Sequence, residues 1–335
     1  MEGRLRGTGD QDTEDKIQGQ VVAKQAESGK APTKPGGGAT QSRVDGIWAE
    51  NARSAAEAPE GGPAMAIIAI SQQMGSGGDT IAAAVANTLG YAYADRQMIV
   101  EAAKAYDVPE TALAAVSEDP LSGWHTANAA RCRYRTFLDA AFFGLAEQDN
   151  IVTASRGTAS LVRGISHALR VRIIAPFELR VARTRDREHL SRAEARHRVR
   201  KYDHEIVARI GYLFGPEWAL PESYDVVVNT ERETSALYAD MIVAVARDPR
   251  FQATPDSLQV VRNRSLAAHV RAAIARDPDA SGAADLEVTA DRGRVGLRGS
   301  VRHLSVRDAV LTTVSAVPGA RSVSGEEVTV FMPYP

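Results

Sequence analysis

Residues 66–80 read Ala-Ile-Ile-Ala-Ile-Ser-Gln-Gln-Met-Gly-Ser-Gly-Gly-Asp-Thr, and this stretch decides the fold. Its first five residues, 66–70, form a short apolar run that is typical of a strand buried on both faces. A glycine-rich loop, residues 71–80, follows, and the next segment, Ile81–Leu89, has helical spacing and ends at Gly90. Strand, loop and helix make a βα unit, the building block of a parallel sheet covered by helices.

The same alternation continues as far as residue 247. Apolar runs predict further strands at 150–154, 171–175 and 225–229. Helical spacing predicts helices at 96–105, 127–147, 177–187, 192–214 and 234–246. Residues 65–247 are therefore predicted to form an α/β domain with a parallel sheet and helices on both faces.

The two ends of the chain differ from this central domain. Residues 1–64 hold one aromatic residue and few large aliphatic residues, so they are predicted to be a disordered tail. Residues 248–260, which include two prolines, are predicted to be a linker. The order α-β-β-α-β over 261–335, with helices at 265–275 and 303–315, predicts a small α+β domain.

Composition narrows the classes of function. The 335 residues include 40 basic and 42 acidic side chains, and this balance does not favour general nucleic-acid binding. Cys132 is the single cysteine, which excludes an internal disulfide framework and favours a reducing, cytoplasmic compartment. We expect no transmembrane segment and no signal peptide, because the apolar runs are short and the N-terminus is acidic.

The glycine-rich loop has the position and composition of a phosphate site. Backbone N–H groups converge in such a loop, and the N-terminus of the following helix adds partial positive charge. The common phosphate-loop motif is G-x-x-x-x-G-K-[ST], and this chain departs from it at Gln72, Gly78 and Asp79. A tight turn without a ligand is the alternative explanation of the same glycines.

Arginine replaces lysine as the available cation. Only six lysines occur, and only Lys104 and Lys201 lie beyond residue 34. Phosphoryl transfer requires positive charge around the phosphates, so the segment 180–201 is the candidate source. A solvated helix face whose arginines pair with neighbouring glutamates is the alternative. The cations of the segment are Arg180, Arg183, Arg185, Arg187, Arg192, Arg196, Arg198, Arg200 and Lys201.

Several motifs together resemble the cytidylate kinase-like group of P-loop nucleoside-monophosphate kinases. Residues 68–78 resemble that group's ISRxxGSGG loop. Further matching segments are Tyr93-Ala-Asp-Arg96, Ser155-Arg-Gly157, 171–181, 187–191, Asp203, Phe214-Gly-Pro-Glu-Trp218 and 224–230. The resemblance covers just over half of the chain.

The resemblance implies ATP and Mg²⁺ as cofactors and CMP or dCMP as the acceptor. The donor phosphates would be held by Gly75, Ser76, Gly77, Gly78, Asp79 and Thr80. Of these, Asp79 and Thr80 would also be ligands of Mg²⁺. The acceptor monophosphate would be bound by Asp95, Arg96 and Arg156. The catalytic residues would be Arg183 and Arg187 of a lid, and Asp203, which would help hold the acceptor or the lid. Because the loop lysine is absent, a second hypothesis stays open, namely a nucleotide-binding regulatory protein with weak or no catalysis.

Residues 261–335 resemble a BON domain, a small α+β binding module. The matching residues are 267–275, Leu286-Glu-Val-Thr289, 293–301 and 317–323, with Gly299 as the signature glycine. The resemblance implies binding of a small ligand, a partner protein or a membrane surface. The segment holds ten basic and eight acidic residues, so its charge does not favour anionic lipid.

Overall fold

The computed structural model describes residues 66–95, 124–148, 150–155, 157–232, 235–280, 283 and 286–331. Within the helices, side chains are described outside 124–134 and 206–209. The predicted tail at 1–64 and the predicted helix at 96–105 lie outside the described residues.

The central domain is built on a five-stranded parallel sheet of the P-loop kinase type, as predicted. Its strands lie in the order β2-β3-β1-β4-β5. Every pairing is parallel, and β1 lies between β3 and β4. The strands are β1 (Ile67–Gln72), β2 (Ala92–Asp95), β3 (Ile151–Ala154), β4 (Ala168–Ile174) and β5 (Val226–Asn229). The glycine-rich loop follows the central strand, so it opens at the carboxyl edge of the sheet.

Helices cover both faces of this sheet. The helices are α1 (Gly78–Leu89), α2 (Trp124–Ala146), α3 (Thr158–Leu161), α4 (Phe177–Glu188), α5 (Arg192–Phe214) and α6 (Ser235–Ala246). One apolar core packs α1 and α6 against the sheet, and a second packs α2 and α3 against the opposite face. Consequently Ile67, Ile68 and Ile70 of β1 are fully buried, which confirms the prediction of a strand covered on both sides.

Local sequence signals set several helix ends. Gly90 takes the left-handed conformation that ends α1, at φ 69°. Ser191 accepts a hydrogen bond from the Glu194 amide, and the Glu194 side chain accepts one from the Ser191 amide. This capping box fixes the first turn of α5 at the predicted residue.

Two short elements were not predicted. Strand β2 has only four residues with mixed polarity, and it is recognised as a strand only through its pairing with β3. Helix α3 is a single turn after β3, too short to show helical periodicity.

The C-terminal module confirms the predicted α-β-β-α-β order. Its elements are α7 (Pro255–Arg276), β6 (Glu287–Asp291), β7 (Arg294–Val301), α8 (Leu304–Ser315) and β8 (Ser322–Val330). Strands β6 and β7 are antiparallel, β7 and β8 are parallel, and α7 and α8 pack against this sheet. Among the described residues, no helix combines the length and the apolar character that crossing a bilayer requires.

Helix α7 begins at Pro255, ten residues before the predicted start. Thr254 caps the helix through the Ser257 amide, and proline is favoured in the first turn, where an N–H has no helical partner. Pro255 therefore marks the start of a helix that takes up residues 255–260 of the predicted linker, and Pro249 begins a 3₁₀ turn over Pro249–Phe251.

Candidate functional site

The glycine-rich loop takes a backbone path that needs glycine at two positions. Gly75 and Gly77 lie in the left-handed region, at φ 75° and 83°. A Cβ on Gly75 would lie 2.6 Å from the Arg180 carbonyl oxygen and 2.9 Å from the Thr184 hydroxyl oxygen. The loop is thus pressed against α4, and Gly75 leaves no room for a side chain.

The carbonyl oxygens of the loop are occupied by donors from the protein. The Gln73 carbonyl accepts from the Ser76 amide at 3.1 Å and from the Ser76 hydroxyl at 2.8 Å. The Ser76 carbonyl accepts from the Thr230 hydroxyl at 2.8 Å, and the Met74 carbonyl accepts from Arg180 at 3.5 Å. The first amides of α1 have no partner within their helix, so they are the backbone donors of this region that an anion could accept.

Two arginines of α4 support this loop through hydrogen bonds to its carbonyl oxygens. Arg180 is buried and makes a two-pronged ion pair with Asp203 of α5, with N–O distances of 3.0 and 2.8 Å. Arg183 donates to the Ser76 carbonyl at 3.3 Å, and to the hydroxyl and the carbonyl of Thr230 at 2.9 Å each. Asp203 and Arg183, both predicted for the lid, therefore lie in the support of the loop.

The three departures from the common motif contact one another. The Gln72 side chain donates through Nε2 to Oδ1 of Asp79. It also lies against Gly78, where an added Cβ would come within 2.6 Å of the Gln72 Cβ. Gln72 thus takes the space beside residue 78 and orients Asp79, so the three substitutions act as one unit.

Two carboxylates and a phenol lie close together beside the loop. Burial, together with the negative charges of Asp79 and Asp95, raises the pKa of Tyr93 to about 12. Asp95, predicted for the acceptor site, ends β2 at the carboxyl edge of the sheet. The other two predicted acceptor residues, Arg96 and Arg156, lie outside the described residues.

The remaining lid candidates lie on the protein surface. Arg187 is exposed and donates to Glu188 at 3.1 Å. Arg192 and Arg196 share Glu178, and Arg196 and Arg200 lie over the Phe177 ring. This part of the arginine run has the character of a solvated helix face. Lys201 is also exposed and lies 3.8 Å from Glu205.

Sequence reasoning missed two residues of this region. Thr230 binds the loop carbonyl but follows β5 by a single residue, and no local pattern distinguishes it. Arg172 of β4 is buried, donates to Ser71 and to the Tyr224 hydroxyl at 3.1 Å each, and stacks over Trp218 at 4.7 Å. An arginine inside an otherwise apolar strand was the available signal for this network.

The donor set beside the loop fits a magnesium ion. Asp79 and Thr80 supply oxygen atoms at the start of α1, and Mg²⁺ prefers oxygen ligands. No group of three or more His, Cys, Asp or Glu side chains is gathered anywhere in the described ranges.

Two solved structures resemble the chain at low similarity. An uncharacterized protein from Eubacterium ventriosum is 17% identical, with a TM-score of 0.42 over 55% of this chain and 99% of that chain. Shikimate kinase from Acinetobacter baumannii, in complex with shikimate, is 13% identical, with a TM-score of 0.33 over 54% and 92% of the two chains. No curated protein matched the sequence.

The sequence comparison defines both parts of the chain. Residues 67–232 match the cytidylate kinase-like family, and residues 263–330 match the BON domain. The chain therefore combines a central domain of the cytidylate kinase-like family with a C-terminal BON domain. Its central domain belongs among proteins of nucleotide kinase type. The match to the cytidylate kinase-like family begins at β1 and includes the whole glycine-rich loop.

Proposed function

We propose that the central domain is an ATP-dependent kinase that phosphorylates CMP, dCMP or a closely similar nucleoside monophosphate. The observation that carries the proposal is the glycine-rich loop. Its carbonyl oxygens at Gln73, Met74 and Ser76 accept bonds from the protein, and the Ser76 amide is used within the loop. The amides in the first turn of α1, which have no partner within the helix, are therefore the donors proposed to bind an anion. The loop lies at the start of α1, where the helix dipole favours negative charge.

The proposed roles follow the family resemblance and, for the described residues, their contacts. Residues 75–80 hold the donor phosphates, while Asp79 and Thr80 supply oxygen ligands to Mg²⁺, which when bound neutralises phosphate charge. Asp95, Arg96 and Arg156 hold the acceptor phosphate. Arg180 and Arg183 support the loop through hydrogen bonds to its carbonyl oxygens, and Asp203 positions Arg180 through their ion pair.

The proposed reaction is an in-line displacement. An oxygen of the acceptor phosphate attacks the γ-phosphorus of ATP, the bond to the bridging oxygen breaks, and ADP leaves. Arg187, exposed at the end of α4, is the residue of the proposed lid that can turn toward the transferring group. Closure of the lid would exclude water and suppress hydrolysis of ATP.

A second candidate function is nucleotide binding without turnover. This candidate is favoured because Arg180 and Arg183 bond to groups of the protein itself. It is also favoured because Gly78 stands where the common phosphate-loop motif has lysine. In that case the C-terminal module would respond to the bound nucleotide by binding a small ligand, a partner protein or a membrane surface. We place either function in the cytoplasm and without a nucleic-acid partner, given the single cysteine and the balanced charge.

A coupled assay of ADP release separates the two candidates. The full-length protein is supplied with ATP, Mg²⁺ and CMP, dCMP, UMP or AMP in turn, and binding of each nucleotide is measured by calorimetry. Turnover with a pyrimidine monophosphate is the expected result. Binding of ATP without turnover would establish the second candidate, and absence of binding would refute both.

A further inference from the structure

Helix α7 is buried on two sides, and each side belongs to a different apolar core. Val261, Ala268 and Ala272 are at most 1% exposed and belong to the cluster that packs α2 and α3 against the central sheet. Val270 and Ile274 belong instead to the cluster that packs α7 and α8 against the C-terminal sheet. Whichever module kept α7, separation of the two would expose apolar surface on the helix and on the other module.

Small side chains let α7 approach α2 closely. A Cβ on Gly144 of α2 would lie 3.6 Å from the His269 ring of α7, which is van der Waals contact. Ala140 of α2 is fully buried in the same cluster as Ala268 and Ala272. The distance between packed helices depends on the side chains at their contact, so alanine and glycine favour a close approach. The contact is apolar and buried, as in the core of a domain.

Two consecutive residues of α7 bind the two modules. Arg264 donates from Nη1 to the Leu161 carbonyl of α3 at 2.9 Å. Asn263 donates from Nδ2 to Asp291 at 3.3 Å and accepts from the Arg292 amide at 2.8 Å, at the turn between β6 and β7. One turn of α7 therefore connects the β6–β7 turn of the C-terminal module to the end of α3 in the central domain.

The Arg264 guanidinium lies at the end of α3. Burial lowers the pKa of Arg264, and among the described residues no carboxylate counters this effect. A Cβ on Gly164 would lie 3.4 Å from its Nη2 atom, so the turn after α3 passes close to the guanidinium. The last carbonyl groups of a helix have no partner within it, and arginine can bind them. Arg264 thus holds the end of α3 in place.

We propose that α7 makes the C-terminal module a fixed support of the central domain, and that Arg264 positions α3 together with the turn before it. The Thr158 hydroxyl, at the start of α3, donates to the Ser155 carbonyl at 2.8 Å and lies 3.0 Å from the Thr153 hydroxyl of β3. A shift of α3 is therefore transmitted to the turn at its start. The C-terminal module acts through a shared helix, with no docking step.

The consequence for ligand binding rests on the proposed function. Arg156, one of the residues proposed to hold the acceptor phosphate, lies two residues before the start of α3 in the sequence. The glycine-rich loop, in contrast, is supported by Arg180 and Arg183 of α4. Loss of Arg264 should therefore weaken binding of the acceptor and leave binding of ATP nearly unchanged. Arg264 is in this sense a positioning residue for the acceptor.

Urea unfolding of the full-length protein tests the fixed support. All three tryptophans, at positions 48, 124 and 218, precede the C-terminal module, so their fluorescence reports on the rest of the chain. Val310→Ala opens a cavity in the core of the C-terminal module, where Val310 is fully buried. This variant is expected to lower the urea midpoint of tryptophan fluorescence and that of circular dichroism by the same amount.

A substitution on the same helix provides the control for this experiment. Leu304→Ala replaces an exposed residue of α8 and should shift neither midpoint. An unchanged fluorescence midpoint in Val310→Ala, or two separate transitions, would overturn the proposal. Should Val310→Ala not fold, Val330→Ala, at a partly buried position of β8, is the milder substitution with the same expected result.

Hydrogen exchange followed by mass spectrometry tests the role of Arg264. Arg264→Met is expected to accelerate exchange at 158–165 by about tenfold or more, because a hydrogen bond from a charged group is lost, while exchange in α4 stays the same. Arg264→Lys keeps a charged donor and should restore most of the protection. Arg262→Met, at an exposed arginine of the same helix, is the matched control and should have no effect.

Two outcomes of the exchange experiment would refute this role. They are equal acceleration in Arg262→Met and the absence of acceleration in Arg264→Met. Should Arg264→Met not fold, Arg264→Gln keeps a neutral donor and should show a smaller acceleration at the same residues.

Nucleotide binding, measured by calorimetry, gives a separate result. CMP affinity is expected to fall about 2- to 30-fold in Arg264→Met and to recover in Arg264→Lys, with ATP affinity unchanged in both. If the wild type binds neither nucleotide, the proposed function fails, while the unfolding and exchange results still decide this inference. Equal losses of CMP and ATP affinity would mean that the acceptor-specific part is wrong.

Discussion

Replacing Asp139 with asparagine should change how the stability of the protein depends on pH. Burial raises the pKa of this carboxyl from 3.8 to about 6, although Arg135 and Arg271 act in the opposite direction. The folded protein therefore binds the proton more tightly than the unfolded chain does. The stabilising effect of protonation is complete below the unfolded pKa of 3.8 and is lost as the pH rises through 6.

The size of the effect follows from the shift in pKa. A shift of about two units corresponds to about 3 kcal/mol, which is the free energy that ionised Asp139 costs the folded state at neutral pH. About 2 kcal/mol of this change falls between about pH 4.5 and 7.5, where both states are accessible to measurement. Asparagine cannot ionise, so the stability of Asp139→Asn relative to wild type should rise by this amount across that range.

Urea unfolding followed by circular dichroism at a series of pH values measures the difference. Any fixed cost of burying the asparagine amide is the same at every pH and cancels from the slope. Asp248→Asn is the control, since Arg250 lowers the pKa of Asp248 to about 2 and this carboxylate stays ionised in the folded state over the range. A constant difference between Asp139→Asn and wild type would refute the argument.

Three further predictions concern the candidate site. Gly78→Lys alone should not raise ATP affinity, because Gln72 takes the space beside residue 78. The double variant Gln72→Gly/Gly78→Lys should raise ATP affinity about tenfold or more, as measured by calorimetry. Thr230→Val should lower the free energy of unfolding by about 1–3 kcal/mol, because the Ser76 carbonyl loses a buried donor, and should weaken ATP binding. If the protein is a kinase, Arg187→Ala should lower kcat by about 100-fold or more while ATP affinity changes little.

Two of these predictions have a matched control within the chain. The effect of Thr230→Val is compared with that of Thr88→Val, whose exposed hydroxyl bonds the Ala84 carbonyl within a helix and should matter little. Arg192→Ala, a change at an exposed arginine of α5, should leave kcat near that of wild type. Equal losses of kcat and affinity in Arg187→Ala would mean that Arg187 serves binding alone, and higher ATP affinity in Gly78→Lys alone would contradict the role given to Gln72.

Much of the fold could be predicted because the signals are local. An unbroken apolar run predicted β1, Gly90 predicted the end of α1, and helical spacing predicted that α5 starts at residue 192. Each of these depends on residues within a few positions of one another, so the sequence displays the cause directly. Strand β2 and helix α3 were missed because four residues are too few to show a period.

The candidate site was predictable in its location and less so in the roles of its side chains. The glycines of the loop indicate a left-handed backbone conformation, and this conformation depends only on neighbouring residues. The partners of the loop come from far along the chain: Thr230 binds Ser76, and Asp203 holds Arg180. The type of an arginine does not reveal whether its guanidinium faces the ligand, the loop or the solvent.

The sequence by itself determined the two modules, the position of the loop and the absence of lysine from it. Long-range packing decided that Arg183 supports the loop, that Gln72, Gly78 and Asp79 act together, and that α7 belongs to the core of the central domain. The physical reason is that secondary structure and turns arise from short-range sterics and hydrogen bonds. Burial and charge pairing, in contrast, depend on which distant surfaces the chain brings into contact.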